Sequence, residues 1–322
     1  MNINLATSSI LPTVSIIVPL YYAEKLFSPL IAGLETLAQE NQEQFKTEIV
    51  FVDDGSKDNT FKLVQNLKPE HFSFQAIRLA RNFKSYLAIL AGIQYAQGDY
   101  ITFLAQDLQE PPQLISQFFN IIQANYDVVW AVRRTRADHF LDRLFSQMFH
   151  RLMNKIWSEW PKTGADMFMI NRPVANVLLS MQEKNSHISG QILWSGFRQT
   201  QIFYDRQKRK IGKSGWSFWK KVELAVSVIT QFSYLPIRAC TALGLILATT
   251  GFFYGILVIV QRLTLQITLQ GWSALMIVLL IIGGFQFIFL GVIGEYLWRV
   301  FDEVRKRPAY IVMDRIEGGN RE

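Results

Sequence analysis

The stretch "FLAQDLQEPP", Phe103 to Pro112, joins an apolar run to a cluster of oxygen-bearing side chains and then to a Pro-Pro brake. An apolar run that ends abruptly in polar residues is the pattern of a buried parallel strand delivering side chains to the ligand-binding edge of its sheet. Ile101 to Ala105 is read as that strand, and Asp107 and Gln109 as the first candidate site residues. Taken alone, the stretch also fits a strand followed by an ordinary turn, so the surrounding chain has to decide.

Upstream, strands and helices alternate. Val14 to Leu20 is a β-branched run, and Glu24 to Asn41 places Leu26, Leu30, Leu34 and Leu37 at helical spacing. Glu48 to Val52 is a second buried strand that runs into "DDGSKDNT", where Asp53 and Asp54 stand at the strand end and Gly55 permits a tight turn. Ser56, Asp58 and Asn59 offer caps to a helix reaching about Leu67. Phe74 to Leu79 is a third strand, followed by "ARNFKS" and a helix from Tyr86 to Ala96. This alternation predicts an α/β fold with a mostly parallel, Rossmann-like sheet whose ligands bind at the strands' carboxyl ends. Both acidic clusters fall on that edge. Asp53 and Asp54 after one strand, with Asp107 and Gln109 after another, could cradle Mg2+ or Mn2+ holding a diphosphate, because hard oxygen ligands suit those ions. For Asp53 and Asp54 the plainer alternative is helix capping and solvation.

Composition narrows the function classes. Of the 322 residues 50% are hydrophobic, and the formal charge is +7, so a soluble α/β domain must share the chain with something that consumes apolar surface. The only cysteine, Cys240, lies in an apolar stretch, which excludes a disulfide framework and a Cys-based zinc site. No HExxH, CxxC or Walker A pattern occurs. The first residues lack a basic n-region, so the N-terminal apolar run reads as a strand and not as a signal peptide.

"VSIIVPLYY", "FVDDGSKDNT", "LARNFKSYLAILAGI" and "LAQDLQEPP" resemble the successive motifs of the family 2 glycosyltransferases of GT-A fold. Within them the resemblance is to the polyprenyl-phosphate branch that holds dolichol-phosphate mannose synthase and the bactoprenol glucosyltransferases. The resemblance implies that Asp53 contacts the nucleotide base or ribose, that Asp54 lies near the phosphates, and that Asp107, assisted by Gln109, holds the metal. Arg81 of "ARNFKS" joins the nucleotide-sugar set. The chain departs from the family where Ala105 replaces the first Asp of the dolichol-branch motif, and where Lys84 and Ser85 stand in place of Gly and a basic or polar residue. "TGADMFMINR" resembles the family's G-D-F-R-L motif through Gly164, Asp166 and Arg172, which puts Asp166 on the acceptor side of the reacting centre; Met167, Phe168 and Met169 diverge. An Asp capping a turn is the alternative there. In "HISGQILWSGF", Ser189 replaces a common Arg.

The remaining segments carry charge beside apolar surface. "YDVVWAVRR" is a fifth strand ending in Arg133 and Arg134, and residues 139–158 form a basic amphipathic helix, carrying Arg143, that can face a membrane or pack on the sheet. After a strand from Gln201 to Tyr204, the loop "YDRQKRKIGKSGWSFWKK" resembles the family's R-x-x-R-x-x-G-x-S-K motif through Arg206, Arg209, Gly212 and Ser214, with Gly215 at the Lys position. Such a loop can clamp a diphosphate or a lipid phosphate, or form a patch for anionic lipid. Arg206 and Arg209 are assigned to the nucleotide sugar, and Arg133, Arg143, Lys213 and Ser214 to the acceptor phosphate and lipid side.

Residues 216–235 read as an interfacial amphipathic helix, and 236–298 as a transmembrane hairpin with spans at 239–260 and 274–293, each near the ~20 residues a bilayer requires. Basic residues cluster on both flanks of the hairpin while its connection holds Arg262 alone, so the catalytic domain, residues 1–215, and the tail, residues 299–322, are expected in the cytoplasm. "GEYLWRVFDEVRKRPAYIV" resembles the bacterial branch, in which this segment leads back to the soluble domain. The expectation is a multi-pass enzyme of the inner (plasma) membrane that transfers a hexose, glucose from UDP-glucose, to a polyprenyl phosphate with inversion. GDP-mannose or a UDP-aminosugar as donor, and an inactive nucleotide- or lipid-binding partner subunit, are the alternatives. A homo-oligomer stays open; nucleic acid is disfavoured because the charge concentrates beside the membrane segments.

Overall fold

The computed structural model describes residues 11–134, 165–181, 188–205, 235–265 and 271–318. The chain divides into two compact units, Met1–Gly215 with Pro308–Glu322, and Trp216–Arg307.

In the first unit, β1 (Thr13–Leu20), β2 (Lys46–Asp53), β3 (Ser73–Leu79), β4 (Tyr100–Phe103), β5 (Val128–Arg133), β6 (Ala165–Asn171), β7 (Gln199–Tyr204) and β8 (Val312–Gly318) form one sheet in the order β7-β5-β6-β4-β1-β2-β3-β8. Pairs β1–β2, β1–β4, β2–β3 and β5–β7 are parallel, while β6 and β8 run against their neighbours. The mostly parallel α/β sheet predicted from the strand–helix alternation is therefore present.

The strands are buried on both faces, so alternate side chains feed two cores. Val14, Ile16, Val18 and Leu20 point to the face covered by α1 (Phe27–Asn41), α2 (Thr60–Gln65) and α4 (Leu114–Ile122). Ile17 points to the other face, with α3 (Ser85–Tyr95), α5 (Arg172–Ser180) and α6 (Ile188–Trp194). On α1 the four-residue spacing of Leu30 and Leu34, continued by Leu37, places all three against the sheet; each fully buried leucine contributes about 2 kcal/mol. Helix α3 comes closest: a Cβ on Gly92 would stand 2.3 Å from Ile17 Cγ2, so only glycine allows this approach.

Three elements differ from the sequence reading. The "FLAQ" strand ends at Phe103, two residues before Ala105. The Pro-Pro pair is an entrance and not a brake, since Pro111 and Pro112 carbonyls accept from Leu114 and Ile115 N–H at the start of α4. The expected tail is the third: residues 312–318 pair with β3 in register Arg78↔Asp314, so the first unit is built from both ends of the chain. Its charged alternation, "VMDRIE", reads as a polar tail because an edge strand protects itself with charge.

In the second unit, α7 (Leu235–Leu265) and α8 (Trp272–Val304) contain the two expected spans, and α8 continues beyond residue 298, the expected hairpin end. At 1.5 Å per residue they measure about 46 and 50 Å, more than the ~30 Å hydrocarbon core. Ile237–Leu257 and Ile281–Val304 are long and apolar enough to cross a membrane, and neither is buried within the protein. Gly244 and the Phe289 ring meet between the helices. The amphipathic segments 139–158 and 216–235 lie outside the described residues, apart from Leu235 at the start of α7.

Candidate active site

The sheet's direction gathers the predicted residues. Asp53, at the end of β2, and Asp54 just after it, Arg81 after β3, Asp107 and Gln109 after β4, and Arg133 at the end of β5 all lie on the carboxyl edge. Because β6 is antiparallel, its beginning lies there too, so the backbone of Asp166 joins the same edge beside the register shift at Ala131/Val132. Arg172, at the far end of β6, is at the opposite edge, where its guanidinium donates to the Gly98 carbonyl. Arg143, Arg206, Arg209, Lys213 and Ser214 lie outside the described residues, and the chain is described up to Asp205 just beyond β7.

Two buried carboxylates form the centre of this edge. Asp53 is 1% exposed; its Oδ1 accepts from Ser56 N at 3.1 Å. Arg78 Nε approaches Oδ2 at 3.4 Å, close enough for an ion pair but off hydrogen-bond geometry, so buried Oδ2 has no hydrogen-bond partner. Burial raises the Asp53 carboxyl above its ordinary range, partly offset by the Ser56 hydrogen bonds and by Arg78. A buried acceptor without a hydrogen-bond donor costs about 1–3 kcal/mol, which the Arg78 charge at 3.4 Å offsets in part. Asp54 Oδ1 accepts from Phe83 N at 2.6 Å, tying the turn after β2 to the turn after β3. Burial pushes Asp54 up to about 6 against the lowering effect of the Phe83 and Lys84 N–H groups, and neighbouring Asp53 adds to the rise.

The turn between them depends on Gly55. Its φ is +74°, and a Cβ would lie 2.5 Å from the Arg81 carbonyl carbon. Gly55→Ala is expected to destabilise the protein by about 2 kcal/mol or more, read as a lower midpoint in chemical denaturation.

The loop after β4 is anchored to the loop after β1. Gln106 Oε1 accepts from Tyr21 N at 2.9 Å and its Nε2 donates to the Tyr21 carbonyl at 3.2 Å. Leu108 takes a positive φ of 50°, and Gln109 N points back at Asp107 Oδ1 at 3.4 Å. Asp107 is half-buried on this turn, while Gln109 is buried. Among the described residues no group of three or more His, Cys, Asp and Glu side chains converges. That donor set does not make an all-protein cage. It does fit Mg2+ or Mn2+ held by one or two carboxylates, with substrate phosphates and water completing the octahedron.

Two residues with structural influence on the site escaped the sequence reading. Arg78 lies over the Phe61 ring at 5.3 Å and donates to the Ser56 carbonyl at 3.1 Å, which holds it beside Asp53. A lone charge within the buried run "FQAIRL" was the available signal. Gln106 carried no such signal, since its role needs the neighbouring strand.

Comparison with known proteins shows the family. Residues 15–207 match the model of "Glycosyl transferase family 2". An uncharacterized glycosyltransferase of Synechocystis is 35% identical, with 93% of this chain and 94% of that protein covered. The bactoprenol glucosyl transferase of Shigella phage SfII is 33% identical, with 93% and 97% covered. Among solved structures, a mannosyltransferase from Pyrobaculum calidifontis in complex with GDP-Man and Mn2+ is 18% identical, with TM-score 0.47 and coverage of 66% and 60%. With the family model spanning the strands that carry both acidic clusters, and relatives aligned over nearly their whole length, the chain belongs to glycosyl transferase family 2 and is a glycosyltransferase.

Proposed function

We propose that the protein transfers a hexose, glucose from UDP-glucose, to a polyprenyl phosphate such as undecaprenyl phosphate, at the cytoplasmic face of the inner membrane. One observation carries the reading: a carboxylate-lined sheet edge occurs in the same chain as two unburied helices long and apolar enough to cross a membrane. Relatives named bactoprenol glucosyl transferase align over nearly the whole chain, which supports the lipid acceptor and the glucose donor.

In this reading Asp53 accepts from a donor group on the base or ribose, and Arg78 holds that carboxylate in place. Arg81 and the Arg206 and Arg209 segment face the nucleotide sugar, and Asp54 fixes the turn near its phosphates. Asp107, with Gln109, would hold Mg2+ or Mn2+, which when bound supplies positive charge to the departing nucleoside diphosphate. Arg133, Arg143, Lys213 and Ser214 meet the acceptor phosphate. An acceptor oxygen forms the new bond to the anomeric carbon as the bond to the diphosphate oxygen breaks, which inverts configuration. A phosphate monoester, with a second pKa near ~6, is already anionic at neutral pH, so Asp166 orients it and need not remove a proton.

Purified protein given undecaprenyl phosphate, Mg2+ or Mn2+, and a panel of UDP-glucose, GDP-mannose and UDP-aminosugars is expected to form glycosyl lipid, most rapidly with UDP-glucose. Absence of product from every donor would overturn the reading, and a faster second donor would replace the sugar.

A further inference from the structure

The backbone at Lys84 holds a conformation that its side chain disfavours. Its φ of 76° and ψ of 154° lie in a region occupied essentially by glycine, where other residues carry a cost of order 1–3 kcal/mol. The surroundings explain how the conformation is held. Asp54 Oδ1 accepts from Phe83 N at 2.6 Å, and Asn82 Oδ1 accepts from Lys84 N at 3.2 Å. At positions 83 and 84 these contacts use only backbone N–H groups, so glycine at 84 would keep them without strain. They therefore account for the shape of the turn and not for the lysine in it.

Among the described residues the side chain offers no structural return. Lys84 is exposed, and among the described residues its ammonium forms no ion pair. It stands on the carboxyl edge, on the turn that Asp54 grips, where the proposed reaction brings phosphate groups. A lysine ammonium is a compact positive charge suited to a phosphate oxyanion.

We propose that Lys84 is a phosphate-contacting specificity residue of the transfer site, kept in a glycine-type backbone position for the charge it presents to the donor diphosphate or the acceptor phosphate. This rests on the transfer reading above. Both sources offer the same oxyanion chemistry, so the experiment has an arm for each.

Lys84→Gly is expected to raise the Tm by a few degrees, because the strain is relieved, and to raise KM about tenfold for whichever substrate Lys84 meets, the weight of about 1.4 kcal/mol. Lys84→Arg is expected to restore that KM to within about threefold of wild type. Calorimetric titration with UDP and, separately, with a short-chain polyprenyl phosphate gives a readout independent of turnover. Weaker UDP binding by Lys84→Gly assigns the contact to the donor, and weaker lipid-phosphate binding assigns it to the acceptor. Unchanged affinity and KM for both, in a stabler variant, overturns the proposal. Failure of the wild type to transfer any sugar overturns the transfer reading instead, and the two titrations then decide the phosphate contact alone.

Discussion

Asp107→Ala is expected to lower kcat by about a thousandfold while leaving the protein folded. The side chain stands half-buried on the turn after β4, outside both cores, so its removal opens no cavity in either. What it removes is the carboxylate on that turn that the proposed reading gives to the metal, and losing charge stabilisation of a departing group typically costs on the order of 100- to 1,000-fold or more. A titration of activity against Mg2+ and Mn2+ reads the result. Turnover that stays metal-dependent at wild-type concentrations in Asp107→Ala would show that another group holds the ion. The position of Ala105 sharpens the test, because the methyl side chain two residues away cannot substitute as a ligand.

Asp54→Asn is expected to stabilise the protein and impair it together. Asp54 is 3% exposed, and burial raises its carboxyl from 3.8 to about 6. The folded state thus binds the proton more tightly than the unfolded chain. Between those values stability falls as pH rises, and above about 6 the whole cost of the buried anion is present, on the order of 3 kcal/mol for about two pH units. Asn keeps an oxygen for the Phe83 N–H without the charge. Thermal unfolding should therefore show the variant stabler than wild type at pH 7.5, with the difference shrinking as pH falls through 6 and vanishing below about 4. A gap independent of pH would sink this account. The donor KM is expected to rise, since the unfavourable charge is retained where phosphates and their counter-ion are handled.

Much of this was legible in the chain because the two commonest signals were undisturbed. The β-branched runs at Val14–Leu20 and Glu48–Val52 reappear as strands, and each polar residue immediately following a run falls on the carboxyl edge. What could not be read depended on partners distant in sequence. The antiparallel course of β6, which carries Asp166 to the site edge, follows from pairing with β4 and β5 and not from its own residues. Arg78 and Gln106 matter through Asp53 and Tyr21, contacts that periodicity does not encode. The glycine-type turn at Lys84 had a single signal, the Gly that the resembling family carries at that position, while the lysine's own propensity argues against it. β8 was masked by its charges.

That last strand also fixes an order of events. Residues 312–318 leave the ribosome after both long helices, yet they pair with β3, whose own partner β2, with β1 beyond it, was made in the first sixth of the chain. Throughout synthesis β3 therefore presents an open row of backbone donors and acceptors, and the sheet can be sealed only once translation has passed the hairpin. Shortening the gene after residue 215 would leave the same row open permanently. A form of the catalytic unit without the hairpin calls for a linker from residue 215 to Pro308 long enough to serve strands at opposite edges of the sheet, β7 and β8, so that the sealing strand is kept.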